Sequence, residues 1–149
     1  GDEVGMWGGD DPDPRKPMVW SDLQYEPEAS HPLGVERRAD RVAPDLRLLD
    51  TYRRLIALRN DHLRLFVDGD LTWLEVDDPN SILVYQRSLG DERAVVMFNR
   101  SEDVMEVSVP VDAGKYTEQW PGEREQEVTD SLTEELPPLY ASVWMRVDE

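Results

Sequence analysis

The chain of 149 residues contains no cysteine and only two lysines, Lys16 and Lys115. The lack of cysteine excludes disulfide bonds, thiol nucleophiles and thiolate metal sites, although it does not decide the compartment. No apolar run approaches the roughly 20 residues that a membrane-spanning helix needs, so no membrane segment is predicted. Bases are also scarce: 16 Lys and Arg stand against 33 Asp and Glu, for a formal net charge of −17. Nucleic-acid binding is excluded as a function class because phosphate contacts require a positive surface.

The acidic residues are concentrated in the second half of the chain. Residues 65–149 hold 20 acids against 6 bases, whereas residues 1–64 hold 13 against 10. Such a surface is typical of a halophilic protein, because molar salt screens the repulsion between its carboxylates. An acidic protein that works at ordinary salt concentration is the alternative.

Residues 1–20 predict an irregular segment that carries binding side chains. Glycine and proline recur there, so neither a helix nor a central strand can run through it. The same residues include Trp7, Trp20 and the Arg15-Lys16 pair. Aromatic and charged side chains on such a segment are typical of a binding loop held by a rigid scaffold. An unstructured leader is the alternative.

Two motifs in this segment are specific in combination. The first is Gly1-Asp2-Glu3-Val4-Gly5-Met6, and the second is Asp11-Pro12-Asp13-Pro14-Arg15-Lys16-Pro17-Met18, followed by Trp20. In this order they resemble the loop after the eighth barrel strand of α-amylase-family glycoside hydrolases, above all in the neopullulanase, cyclomaltodextrinase and maltogenic amylase branch. The resemblance implies that the chain is the C-terminal piece of a larger retaining enzyme. That parent would hydrolyse or transfer α-1,4-linked glucosides, including maltooligosaccharides and cyclodextrins.

The resemblance also implies which residues bind substrate. In the family, the acid and base of the Asp-Pro-x-x-Arg motif line the glycone side of the cleft, which makes Asp11 and Arg15 candidates. A carboxylate accepts hydrogen bonds from vicinal hydroxyls, and a planar guanidinium donates through fixed N–H groups. A local ion pair between the two that braces the loop is the alternative. Trp7 is the third candidate, either stacked on a sugar ring or packed onto the barrel as a plug.

The chain is expected to lack catalytic residues of its own. A retaining glycosidase needs two carboxyl groups about 5–5.5 Å apart, and the resemblance places the family's catalytic acids upstream of this loop. Asp2 and Glu3 are a poor pair, since neighbouring residues of an extended chain point to opposite faces.

No metal site or cofactor is predicted in this chain either. Asp10, Asp11 and Asp13 resemble the opening of a calcium loop only superficially. Counted from Asp11, Lys16 stands where such a loop requires glycine, and Asp22 stands where it requires glutamate. Calcium elsewhere in the parent enzyme stays open.

Residues 44–62 are predicted to form a helix. Pro44 suits the first helical position, and Asp45 complements the positive end. Apolar side chains recur at helical spacing at Leu48, Leu49, Tyr52, Leu55 and Ile56. In the family the last barrel helix follows this loop, so the stripe is expected to cover barrel strands that these residues do not include. Because the barrel strands are not part of this chain, the exposed apolar stripe predicts self-association, most simply as a homodimer.

From Leu65 onward the pattern changes to short strands. Runs of β-branched and aromatic residues or strict alternation predict strands at 71–76, 82–87, 94–99, 105–111, 116–120 and 141–147. The acidic segment 123–135 is compatible with one strand and a loop. Three strand tryptophans, Trp73, Trp120 and Trp144, are interpreted as core residues, with a surface glycan platform as the alternative.

These patterns and the resemblance together predict a mainly β chain, an antiparallel Greek-key β-sandwich preceded by a loop and one helix from the end of a TIM barrel. The predicted division is 1–64 for the end of the (β/α)8 barrel and 65–149 for the C-terminal all-β domain. The alternative is a stand-alone β-sandwich that binds carbohydrate or protein, with residues 1–43 as a flexible arm. The compartment stays open, with a bacterial or archaeal cytoplasm favoured.

Overall fold

A computed structural model of the chain describes residues 1–8, 11, 14–31 and 33–147. The chain divides into two compact units, Gly1–Ala57 and Leu58–Glu149, and the division falls inside a helix. Assignment of the first residues to the end of a barrel stays a prediction. None of the helices in the described residues is long and apolar enough to cross a membrane.

The first unit is largely irregular, as its glycine and proline content predicts. It opens with a 3₁₀ turn over Asp2–Val4, which ends at Gly5 in the left-handed region, at φ 67°. Further along, an isolated antiparallel bridge joins Glu28 and Asp40. The backbone amide of each residue donates to the carbonyl of the other, at 2.9 and 2.8 Å. This bridge gives residues 28–40 a closed base within an otherwise irregular stretch.

Helix α1 runs over Leu46–Asp61, within the predicted range of 44–62. Asp45 rather than Pro44 determines its start, because Oδ1 of Asp45 accepts hydrogen bonds from the amides of Arg47, at 2.9 Å, and Leu48, at 3.1 Å. This is the geometry of an N-cap residue. Across the described part of the chain no residue of α1 is buried, so its apolar stripe is not a core here. Its members Tyr52, Leu55 and Ile56 are exposed, and Leu48 and Leu49 are half-buried.

A second helix, α2, occupies Leu63–Asp68, where strands were expected to begin. Its buried residue, Leu65, packs against Ala94 and Met145 on one face of the sheet described below. Gly69 ends the helix, and a Cβ at that position would lie 2.5 Å from the carbonyl oxygen of Leu65. The turn into the first strand therefore requires glycine. A helix of six residues is too short to show a helical period in the sequence.

The remaining residues form eight antiparallel strands in two sheets. The strands are β1 Asp70–Asp77, β2 Ile82–Leu89, β3 Glu92–Asn99, β4 Met105–Pro110, β5 Gly114–Trp120, β6 Glu125–Val128, β7 Ser131–Leu136 and β8 Tyr140–Val147. One sheet has the order β1-β2-β3-β8-β5-β6, and the other pairs β4 with β7. Strand β8 returns to lie beside β5, the first of three consecutive strands, which is the Greek-key return. The predicted antiparallel β-sandwich is confirmed, and the acidic segment forms two strands instead of one.

The core lies between the two sheets and is built from both. The large sheet contributes Met97, Tyr116 and Trp144, and the small sheet contributes Val109 and Leu132. In β4 the buried valines alternate with exposed polar residues, as predicted. Strand β8 differs, because its four consecutive residues from 142 to 145 are all buried. On the face of the sheet opposite the core, Met145 is covered by Leu65 of α2.

Candidate functional site

The predicted pair Asp11 and Arg15 forms a bidentate ion pair in the first unit. Arg15 Nε lies 2.6 Å from Asp11 Oδ1, and an Arg15 terminal nitrogen donates to Oδ2 at 3.1 Å. The side chains are 74% exposed for Arg15 and 62% exposed for Asp11. A guanidinium has five N–H donors and a carboxylate has about four acceptor positions, so the pair keeps hydrogen-bonding capacity toward a ligand. Asp10 and Asp13, considered above for calcium, lie outside the described residues.

Trp7, the third predicted residue, contacts two cations. The Nζ of Lys16 lies 4.5 Å from the centre of the Trp7 ring, and the guanidinium carbon of Arg37 lies 4.4 Å from it. These are cation–π distances. The His31 ring is tilted against the same indole, with centroids 6.3 Å apart. The contacts favour an anchoring role for Trp7, and its stacking on a sugar stays a prediction.

Each of these cations also has an acidic partner. Lys16 donates to Glu28 at 2.5 Å, and Arg37 donates to Asp40 at 2.5 Å. Glu28 and Asp40 are the two residues of the isolated backbone bridge. No sequence pattern predicts this cluster, because irregular backbone brings together residues with no periodic spacing.

A cleft of about 700 Å³ lies within the first unit. Its lining includes Trp7, Lys16, Tyr25 and Arg37. An aromatic wall with a few convergent charged groups is typical of sites for small polar ligands. Asp11 and Arg15 are not among the described residues that line it.

The reason given above for rejecting Asp2 and Glu3 as a catalytic pair is corrected by the structure. These residues lie in the 3₁₀ turn and not in an extended segment. Successive side chains of a 3₁₀ helix are about 120° apart around the axis, so they still do not face one another. Within the described residues, no cluster of three or more His, Asp or Glu side chains could hold a metal ion.

The second unit contains a buried cluster of two carboxylates and one arginine. Arg124 Nε donates to Glu118 at 2.8 Å, and an Arg124 terminal nitrogen donates to the same carboxylate at 2.5 Å. That terminal nitrogen also donates to Glu134. Both glutamate side chains are 1% exposed, whereas Arg124 is half exposed. Its hydrogen bonds with Glu118, and then those with Glu134, raise the pKa of Arg124 above its ordinary value.

Further donors complete this buried cluster. The second oxygen of Glu134 accepts from Ser142 Oγ at 2.6 Å and from Trp144 Nε1 at 2.8 Å. Tyr140 OH lies 3.4 Å from Glu118. Burial raises the pKa of Tyr140, and the negative charge of Glu118 raises it further. Both buried carboxylates are thus hydrogen-bonded, as buried polar groups generally are.

Known proteins resemble this chain along most of its length. Residues 71–144 match the family described as Maltogenic Amylase, C-terminal domain. Over 147 residues the chain is 35% identical to a cyclomaltodextrinase of Geobacillus thermopakistaniensis, a match that covers 95% of this chain and 22% of that protein. An intracellular maltogenic amylase of Bacillus subtilis is 29% identical over 109 residues, covering 73% of this chain and 15% of that protein. The chain belongs to the α-amylase family of glycoside hydrolases.

This α-amylase-family chain spans about a fifth of the length of the curated relatives it matches, and it corresponds to their C-terminal part. A crystal structure of an α-amylase from Geobacillus thermoleovorans aligns with the whole chain and with 29% of its own length. The TM-score is 0.70 at 20% identity. That likeness shows the fold.

The tryptophans of the amylase-family β domain do not share one surface. Trp144 is fully buried in the core, whereas Trp73 on β1 is 55% exposed. The Trp73 ring meets Tyr85 edge-on at 5.7 Å. A platform built from Trp73, Trp120 and Trp144 together is therefore wrong. The core interpretation holds for Trp144 and is wrong for Trp73.

Proposed function

We propose that this chain is the C-terminal part of a retaining enzyme that hydrolyses or transfers α-1,4-linked glucosides, with Asp11 and Arg15 contacting the sugar. The chain itself contributes no catalytic carboxylate. The observation that carries the proposal is the exposed bidentate pair of Asp11 and Arg15. It stands in a chain whose relatives are named cyclomaltodextrinase and maltogenic amylase.

The geometry supports sugar recognition through a preorganised pair. Arg15 and Asp11 orient one another, so less side-chain freedom is lost when a ligand binds. A carboxylate next to a guanidinium presents acceptors and donors side by side, as the alternating roles of sugar hydroxyls require. Both groups face solvent in the first unit. Two cations already contact the ring of Trp7, the third predicted residue, so the proposed sugar contacts are assigned to Asp11 and Arg15.

The test is steady-state kinetics of the longer protein on maltooligosaccharides and cyclodextrins. Loss of a hydrogen bond to a charged partner costs about 1.5–3 kcal/mol. We therefore expect Asp11→Ala and Arg15→Ala each to lower kcat/KM about ten- to a hundred-fold. Arg53→Ala, which removes an exposed arginine from α1, is the matched control. Unchanged kinetics in both test variants would assign the pair a structural role instead.

A stand-alone carbohydrate- or protein-binding sandwich remains the second candidate. The coding sequence upstream of Gly1 distinguishes the two. An open frame of several hundred codons with barrel strands and catalytic acids supports the enzyme. A start codon close to Gly1 supports the binding module.

We also propose that the exposed apolar stripe of α1 can pair with a second copy of this chain. Tyr52, Leu55 and Ile56 are exposed along it, and patches of this kind mark association sites. Light scattering at tens of micromolar should show a dimer for this chain and a monomer for Leu55→Glu. A monomer for both proteins would contradict the pairing.

A cytoplasmic location, calcium in the parent enzyme and adaptation to high salt stay predictions. The word intracellular in the name of one relative supports the cytoplasmic location.

A further inference from the structure

We propose that Trp7, Lys16, Glu28, Arg37 and Asp40 form a clamp that closes the loop carrying Asp11 and Arg15. In this role Trp7 is a positioning residue that acts through Arg15, and a sugar does not stack on it. The positioning role rests on the proposed function of Arg15, whereas closure of the loop does not.

Trp7 contacts Lys16 across the loop that carries Asp11 and Arg15. Lys16 directly follows Arg15, and Trp7 precedes Asp11 by four residues. The 4.5 Å contact between the ammonium and the indole therefore joins the two ends of the stretch that carries the sugar-binding pair. A contact that closes a short loop lowers the conformational freedom of the residue next to that contact, which here is Arg15. The contact thus limits where Arg15 can point.

Lys16 also attaches the loop to a second segment of the chain, which begins at Glu28. Lys16 is paired with Glu28 at 2.5 Å, and the two side chains are 20% and 23% exposed. A partly buried ion pair is screened less by water and salt than an exposed one. Ser30 Oγ also donates to Glu28, at 2.6 Å. The base of the loop is therefore attached to the segment that begins at Glu28.

Arg37 is the second cation that contacts Trp7. Arg37 lies 4.4 Å from the ring centre, donates from Nε to the carbonyl of Ser30 at 2.8 Å and pairs with Asp40. The bridge between Glu28 and Asp40 closes the segment that bears Arg37. Trp7 is thus contacted by one cation from its own loop and by one from the segment that supports it.

The same contacts argue against sugar stacking on Trp7. A pyranose stacks on an aromatic ring through van der Waals contact with the ring face. Lys16 and Arg37 both approach the indole within cation–π distance. A sugar stacked where either cation lies would have to displace a charge that is paired with a carboxylate. The ring is therefore better suited to hold the loop than to receive a ligand.

Native-state proteolysis of this chain tests the loop closure. Trypsin can cut after Arg15, whereas Pro17 protects the bond after Lys16. We expect Trp7→Leu and Glu28→Gln to raise the initial rate of the cut after Arg15 about ten-fold, since local opening controls such cleavage. Trp20→Leu, which changes an exposed tryptophan, is the matched control. The cut after Lys115 serves as the internal reference for global unfolding. An unchanged rate after Arg15 in both test variants overturns the clamp.

A double-mutant cycle in the longer protein tests the positioning role. Trp7→Leu should lower kcat/KM about ten-fold when Arg15 is present and less than about two-fold in the Arg15→Ala background. Trp7→Phe, which keeps an aromatic face for the cations, should recover part of the loss. Equal losses in both backgrounds would mean that Trp7 acts on the substrate or on the fold directly, and the positioning role would be wrong. If Arg15→Ala alone leaves the kinetics unchanged, the proposed function of the pair fails, and proteolysis still decides the clamp.

Discussion

Two clusters in this chain combine arginine with carboxylates in opposite surroundings. In the first unit, Asp11 and Arg15 meet at 2.6 Å with both side chains mostly exposed. In the second unit, Arg124 reaches two glutamates that are 1% exposed. The chemical groups are the same, and water makes the difference. An exposed pair can exchange its partners for a ligand at little cost, whereas a buried cluster cannot lose a member without leaving an unpaired charge.

The backbone around each cluster matches its role. Asp11 and Arg15 lie on an irregular segment, the kind of backbone on which binding residues are concentrated. Glu118 and Glu134 lie on β5 and β7, so the buried cluster joins the two sheets. At Gly122, near Arg124, an added Cβ would lie 2.6 Å from an oxygen of Glu118. That close approach explains the glycine there.

The largest effect should come from removing the arginine of the buried cluster. Arg124→Ala leaves two buried carboxylates without their cation, and breaking a fully buried pair costs about 3–5 kcal/mol. Because Arg124 is half exposed, we expect a smaller loss of about 2–4 kcal/mol in the free energy of unfolding. Urea denaturation followed by tryptophan fluorescence measures it.

Lys115→Ala is the control for that experiment. It breaks the exposed ion pair with Glu125 at 2.8 Å and should cost less than about 1 kcal/mol. If Arg124→Ala cost no more than this control, burial would not distinguish the two kinds of pair and the comparison would fail.

The sequence predicts the sandwich better than it predicts either cluster. Runs of β-branched and aromatic residues and the alternation of apolar with polar residues predict most of the strands, because one buried face imposes a period of two residues. The same period carried an unused signal for Glu134, which falls between Leu132 and Leu136 on one face of β7. The prediction of one strand and a loop for residues 123–135 did not use that period. A glutamate in phase with two leucines predicts a buried carboxylate that needs a partner.

The contacts around Trp7 and the first residue of α1 could not be predicted from the sequence. The motif identified Asp11 and Arg15, and their four-residue spacing suggested the ion pair. Contacts of Trp7 with Lys16 and Arg37 depend on irregular backbone that has no period to detect. The start of α1 was misplaced because proline at the first helical position and aspartate at the N-cap are both common. Only the amide bonds to Asp45 distinguish them.

An intermediate effect is expected at alkaline pH in the second unit. Burial raises the pKa of Tyr116 and of Tyr140 above 10.0, and the nearby carboxylates of Asp112 and Glu118, respectively, raise them further. The folded state therefore keeps these protons longer than the unfolded chain does. The stability from this difference is complete below pH 10, and it is lost as pH rises from there through the raised pKa values.

Urea denaturation between pH 8 and pH 11 measures this loss. Tyr140→Phe removes one titrating group next to the buried cluster. The free energy of unfolding of this variant should therefore fall less steeply above pH 10. A stability that rises above pH 10 would contradict the sign of the shift. An identical slope in Tyr140→Phe would show that Tyr140 does not contribute to it.

The smallest effect should come from the exposed pair. Exposed ion pairs four residues apart contribute about 0.3–0.5 kcal/mol, and many contribute nothing measurable. We expect Arg15→Ala to change the free energy of unfolding of this chain by less than about 0.5 kcal/mol. Added salt should reduce that small difference further, because salt screens exposed charges. The measurement is urea denaturation at low and high ionic strength, beside Arg53→Ala as the control. A loss above about 1 kcal/mol for Arg15→Ala alone would mean that the pair braces the loop as Arg124 braces the sandwich. The lower kcat/KM expected for Arg15→Ala would then follow from the disturbed loop and would not require contact between Arg15 and the sugar.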